Sequence, residues 1–185
     1  MDRRPLAVAI TGGIAAGKSE ALAAFARHGA ATLSADAVVH DLLAGDPDVR
    51  AAIHGRWGVD ADDRARIGEI VFRNRAELDW LEKLLHPKTR AAADAWLATV
   101  DAPLAAVEIP LLYETGGEER FDAVVVVTAP PEVRDARRDG LAERETRLIP
   151  EEEKIARADF TYVNDGSLEE LDEFVGQVVE ELCSS

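Results

Sequence analysis

Apolar residues occur along this chain in two rhythms, and the alternation between them predicts the architecture. Short apolar runs fall at 6–10, 31–34, 104–109, 123–128 and 160–164. Brief, nearly uninterrupted runs of this kind predict strands buried on both faces of a parallel sheet. The run at 123–128, with four consecutive valines, is the plainest. Between the runs, apolar residues spaced three and four apart predict helices at 18–28, closed by Gly29, and at 131–139 and 151–158. A last helix is opened by the Ser167/Glu170 capping box, and Leu168, Leu171, Val175, Val178 and Leu182 share the face expected to lie on the sheet. From 36 to 100 the pattern is helical almost throughout, with breaks at Gly45-Asp46-Pro47 and at 58–63. There Asn74 and Glu77 form an N-cap pair opening a long helix, which His86-Pro87 is expected to kink or divide. The fold class is therefore α/β, with a five-stranded parallel sheet, in a single unit over 1–185. A helical insertion occupies about 37–100, and a polar loop runs over 140–150.

Composition narrows the class. At 185 residues and 47% hydrophobic, the chain has the length of one domain and enough apolar material for a packed core. Its 36 acidic residues outnumber 21 lysines and arginines, giving a net charge of −15. So acidic a surface argues against nucleic acid or an anionic membrane as partner, and any phosphate must bind in a local pocket that overcomes the global field. Cys183 is the single cysteine, which rules out an internal disulfide and suits a reducing compartment. The apolar run after Met1–Pro5 is too short for a signal-peptide core, and no stretch approaches the roughly 18 apolar residues of a membrane span. The expectation is a soluble, cytoplasmic protein, monomeric or weakly homo-oligomeric.

The chemistry begins at Gly12-Gly13-Ile14-Ala15-Ala16-Gly17-Lys18-Ser19, which matches G-x-x-x-x-G-K-[ST] between a predicted strand and a predicted helix. Glycines permit the backbone amides to converge on a phosphate, and the helix N-terminus adds partial positive charge. Lys18 is placed to reach the β- and γ-phosphates of ATP, and the Ser19 hydroxyl to ligate Mg²⁺. A chance glycine-rich turn is the alternative. The pattern points to nucleotide binding but does not name the acceptor. Asp36, just past the second strand, reads either as a carboxylate that orients a hydroxyl and takes its proton, or as a helix N-cap. Glu108, at the end of the third strand, reads either as a water-mediated Mg²⁺ carboxylate or as a salt-bridge partner. Arg134, Arg137, Arg138, Arg144 and Arg147 form the one basic cluster. It supplies either cations for a phosphoryl transition state or a solvated helix face partnered by Glu132, Glu143 and Glu145.

Taken in order, these segments resemble the dephospho-coenzyme A kinase family. Thr11 to Ser19 resembles that family's T-G-G-I-G-S-G-K-S, and Ser34-Ala35-Asp36 its D-A-D. Leu85-His86-Pro87 resembles L-H-P, and Pro110-Leu111-Leu112-Tyr113-Glu114 resembles P-L-L-[FY]-E. Arg134 and Arg138, followed by Asp139-Gly140, resemble R-x-x-x-R-D-G. Lys154, Ala158-Asp159 and Asn164-Asp165-Gly166 resemble the closing K…A-D…N-x-G. The resemblance implies a doubly wound sheet, the P-loop kinase fold, with a helical acceptor-binding insertion and a lid over about 139–150. It also implies transfer of a phosphoryl group from ATP to the 3′-hydroxyl of dephospho-coenzyme A, with Mg²⁺. On that footing Lys18, Asp36 and Arg138 are catalytic. The loop from Gly12 through Glu20, with Arg134, Arg138 and Asn164, binds ATP. His86, Pro110, Leu111 and Leu112 join Asp36 in holding the acceptor, and Ser19 and Glu108 hold the metal. An Asn-Asp-Gly turn by itself also accounts for Asn164. The sequence departs from the family at Ser34, at Glu20, and in a lid about one helical turn short, where Leu148 replaces a glutamine. Another small-molecule P-loop kinase, of nucleoside or shikimate type, and a non-catalytic nucleotide-binding module are the alternatives.

Overall fold

Five strands form one parallel sheet in the order β2-β3-β1-β4-β5. They are β1 (Leu6–Gly12), β2 (Ala31–Ser34), β3 (Leu104–Glu108), β4 (Ala123–Thr128) and β5 (Phe160–Val163). The computed structural model describes residues 4–137 and 148–184, the side chains of 135–137 excepted. β1 is the middle strand: Ile10 is in register with Glu108 of β3 on one side and with Val125 of β4 on the other. Because β3 and β4 are consecutive in sequence but flank β1, the winding reverses there. The carboxyl end of β1 is thus the place where a crevice opens in such sheets.

The unbroken apolar runs are explained by burial on both faces. Val8, Ile10, Val125 and Val127 pack into one layer with Ala21, Ala24 and Phe25 of α1 (Lys18–Arg27) and with Leu171, Val175 and Val178 of α8 (Leu168–Ser184). Ala9, Val124 and Val126 point the other way, onto Leu112 and Tyr113. Among the described residues this part also holds α6 (Pro131–Arg137) and the short α7 (Glu151–Ala156). The capping box is reciprocal: the Ser167 N–H donates to Glu170 at 2.7 Å and the Glu170 N–H to Ser167 Oγ at 3.2 Å. The apolar pattern of α8 overshoots its partner, since Leu168 is 58% exposed in the first turn. β5 stops at Val163, one residue short of expectation, and α7 at Ala156.

The chain divides into two compact units, one made of the residues up to Ser34 and from Leu97 on, the other of Ala35–Trp96. The second unit is helical: α2 (Ala35–Gly45), α3 (Pro47–Trp57), α4 (Arg64–Arg73) and most of α5 (Arg75–Leu97). Its boundaries are chemically marked. Asp46 Oδ1 accepts from the N–H groups of Asp48 and Val49 ahead of α3, and Asp63 and Asn74 cap α4 and α5 in the same way. Leu43, Val49, Ile53, Ala61, Ile67, Leu81 and Leu85 form a core of its own. Two expectations are corrected here. Glu77 does not complete the cap at Asn74, because its carboxylate is taken by Arg56 and by the Trp57 indole N–H at 2.7 Å. Nor does Pro87 divide α5, which is continuous for 23 residues. Burial of Leu81 and Leu85 before the proline and Ala93 after it outweighs the one hydrogen bond Pro87 removes.

Candidate functional site

The loop leaving β1 is shaped by its neighbours. Gly12 has φ 141°, and a side chain there would meet the Val127 carbonyl oxygen at 1.9 Å, so only glycine lets β1 turn this close to β4. Gly17 caps α1 with φ 100° and, lacking a side chain, makes no capping hydrogen bond to the opening N–H groups of that helix. Ala15, at φ 58°, is the single non-glycine residue with positive φ among those described. The buried Lys18 donates to the Gly13 carbonyl at 2.7 Å. Asn164, 4% exposed, lies just past β5 and donates its amide to the Ala16 carbonyl at 2.8 Å. Its side-chain contact is therefore with the loop itself, which neither the turn reading nor the ATP-binding reading anticipated. Glu20 is exposed in the first turn of α1.

Beside the loop, the Ser19 hydroxyl lies 3.1 Å and 3.3 Å from the two carboxylate oxygens of Glu108, which is 5% exposed at the end of β3. Glu108 thus faces the loop's own hydroxyl. A hydroxyl and a carboxylate are hard oxygen donors of the type Mg²⁺ accepts, and Mg²⁺ fills its remaining positions with water and phosphate oxygens. The residues present fit that ion. Among the described residues no three His, Cys, Asp or Glu side chains gather as a ready-made cage. Past β3 the chain turns: Thr11 Oγ1 donates to the Pro110 carbonyl at 3.4 Å, while Pro110 and Leu111 remain half-buried. Leu112 is wholly buried against Ala9, Val124 and Val126, beneath that turn. Tyr113 is buried beside it, and desolvation pushes its hydroxyl above the ordinary tyrosine range, opposed by the Arg157 guanidinium 4.3 Å over its ring.

On the far side of the loop, Arg134 Nη1 and Glu151 Oε2 lie 3.3 Å and 3.1 Å from the point a Gly13 side chain would occupy. Both residues line a cavity of about 440 Å³ with Gly13, Pro131, Pro150 and Lys154. Lys154 is 2% exposed and its ammonium sits 2.7 Å from Glu114 Oε1. The same oxygen accepts from the Ile149 N–H at 3.1 Å. Both stand in segments that resemble the family's P-L-L-[FY]-E and K…A-D…N-x-G, but the sequence assigned neither a role and gave no sign that they meet.

Of the acceptor-side candidates, Asp36 lies exposed within the first turn of α2, which begins at Ala35, so it is not the residue that caps the helix. His86 is half-buried on α5. Both belong to the second unit, whereas the loop, Glu108, Arg134 and Asn164 belong to the first. Arg138, Arg144 and Arg147, and the lid over 139–147, lie outside the described residues.

Three comparisons bear on this arrangement. A family model described as Dephospho-CoA kinase matches residues 6–170. The dephospho-CoA kinase of Mesorhizobium japonicum is 39% identical, with 96% of each chain covered. Among solved structures, a Thermus thermophilus protein superposes with TM-score 0.80 at 32% identity, covering 97% of this chain and 99% of its own. The dephospho-CoA kinase of Campylobacter jejuni superposes with TM-score 0.71 at 29% identity, covering 96% and 97%.

Proposed function

Because this chain belongs to the dephospho-CoA kinase family, we propose that it moves the γ-phosphoryl group of ATP onto the ribose 3′-hydroxyl of dephospho-coenzyme A. The observation that carries the reading is the pairing of Ser19 with the buried Glu108 beside a complete phosphate loop. On this reading the loop amides and Lys18 hold the β- and γ-phosphates, and Ser19 and, through water, Glu108 would hold Mg²⁺, which would supply positive charge beside the transferring group. Asp36 orients the incoming hydroxyl and accepts its proton. It follows β2 by two residues, and β2 ends on the same edge of the sheet from which the loop emerges. Arg134 and Arg138 add positive charge, while His86, Pro110 and Leu111 bind the acceptor. Leu112 contributes from behind as core. The setting we assign is the cytoplasm, with small molecules as partners.

The test is release of ADP from Mg·ATP with dephospho-coenzyme A, set against a panel of nucleosides and shikimate. Turnover that depends on dephospho-coenzyme A is the expected result. Turnover with another acceptor, or nucleotide binding without acceptor-dependent ADP release, overturns the proposal.

A further inference from the structure

Helix α7 has six residues, less than two turns, and Pro150 before it supplies no side-chain cap. A helix this short does not hold itself in place, so its position must be fixed by tertiary contacts. One contact stands out. Lys154 is almost fully buried and pairs at 2.7 Å with Glu114, whose side chain is 13% exposed. That carboxylate oxygen also holds the Ile149 N–H. Glu114 thus fastens both ends of the segment 149–154 to the turn that follows β3. The fastened segment is the one that carries Pro150 and Glu151 into the cavity beside Gly13, opposite Arg134.

Stability alone is a poor account of such a pair. Burying two charges is costly, and replacing both with apolar residues of similar volume is often neutral or stabilising. What the pair supplies that a greasy contact would not is direction: one ammonium and one N–H converge on a single oxygen.

We infer that Glu114 and Lys154 are positioning residues that set nucleotide affinity by holding the 149–151 segment beside Gly13 of the phosphate loop. Lys154 borders that cavity, but its ammonium is turned to Glu114, and the role inferred for both is to position the segment. The inference rests on the kinase reading only in that the loop binds nucleotide, and it makes no use of the acceptor.

The test compares wild type with Glu114→Gln and with the double variant Glu114→Leu/Lys154→Met, using ADP binding by calorimetry without acceptor, thermal melting, and steady-state kinetics. The double variant removes both charges together, so its melting temperature is expected within about 4 °C of wild type. Its ADP dissociation constant is expected to rise about tenfold or more, and that of Glu114→Gln about threefold or more, magnitudes in the range for lost positioning contacts. The kcat at saturating Mg·ATP and dephospho-coenzyme A is expected to stay within about threefold, since uniform binding is what is lost. A folded double variant with wild-type ADP affinity overturns the inference, as does a fall confined to kcat. If the double variant does not fold, the ADP affinity of Glu114→Gln decides by the same comparison. Wild-type protein that binds ADP but ignores dephospho-coenzyme A defeats the proposed function and leaves this inference standing; wild-type protein that does not bind ADP defeats both.

Discussion

At the residue scale, the candidates separate by which state of the reaction each one serves. Lys18 sits within hydrogen-bonding reach of its own loop and is assigned to the phosphates in both ground and transition states. Lys18→Ala is therefore expected to weaken ATP binding and to cut kcat by about 10² to 10³, the range for a lost electrostatic stabiliser. Asp36 is assigned to the acceptor hydroxyl, so Asp36→Asn is expected to lower kcat by about 10² or more while ATP affinity stays nearly unchanged. Equal turnover of Asp36→Asn and wild type removes the base assignment. Glu108 lies one hydrogen bond behind Ser19, so Glu108→Gln is expected to raise the Mg²⁺ concentration for half-maximal rate by about tenfold or more. A Mg²⁺ titration at fixed ATP checks this, and an unchanged midpoint returns Glu108 to a purely structural role. Residues such as Gly12, Lys18 and Ser19 were legible in the sequence because their chemistry is local: eight consecutive residues specify the loop. The pairing of Lys154 with Glu114 was not, although each stands in a matched segment, because 40 positions separate them and only the path of the chain around the sheet brings one to the other.

Elements show the same divide between local and tertiary causes. Signals confined to a few residues held, as at the Ser167/Glu170 box and the four-residue β2. Signals that pit one local rule against distant packing did not. Pro87 obeys the helix-breaking rule in sequence, yet α5 continues through it because buried leucines precede it and a buried alanine follows. Leu111 and Leu112 read alike on the page, and only the second turns into the core. If packing holds α5 against its proline, Pro87→Ala should raise stability by about 2 kcal/mol, read by urea or thermal unfolding. Its position beside His86 leads us to expect a higher KM for dephospho-coenzyme A as well; a destabilised Pro87→Ala would show that the proline relieves strain. The clasp between α1 and α8 is also testable. Arg27 lowers the Asp172 carboxyl below the usual carboxylate range, with His28 adding to it. A folded-state value below the unfolded one means that the stabilisation is present above the usual carboxylate range and lost as pH falls through the lowered value. The melting-temperature gap between wild type and Asp172→Asn should accordingly be present at neutral pH and close as pH falls below the usual carboxylate range. A gap that persists there assigns the effect to packing.

On the scale of the whole molecule, a net charge of −15 makes local concentration of positive chemistry around the loop more telling than it would be on a neutral protein. The division of the chain into two units sharpens this. Every described candidate for holding nucleotide or metal, from Gly12 to Asn164, lies in the first unit, while Asp36 and His86 lie in the second. The second unit has an apolar core of its own, from Leu43 to Leu85. Removing residues 35–96 is geometrically feasible. Ser34 is in register with Glu108, and the start of β3 at Leu104 is four residues back, about 13 Å along the strand. Residues 97–103, extended by a few glycines and serines, span that distance. The excised protein is expected to fold, to bind ADP within about threefold of wild type, as rigid, separately packed units permit, and to release no ADP in response to dephospho-coenzyme A. Calorimetry on the purified truncation checks the first part and a coupled ADP assay the second. Should a folded truncation lose ADP affinity altogether, the helical unit takes part in nucleotide binding, and the division of labour argued from the residues fails.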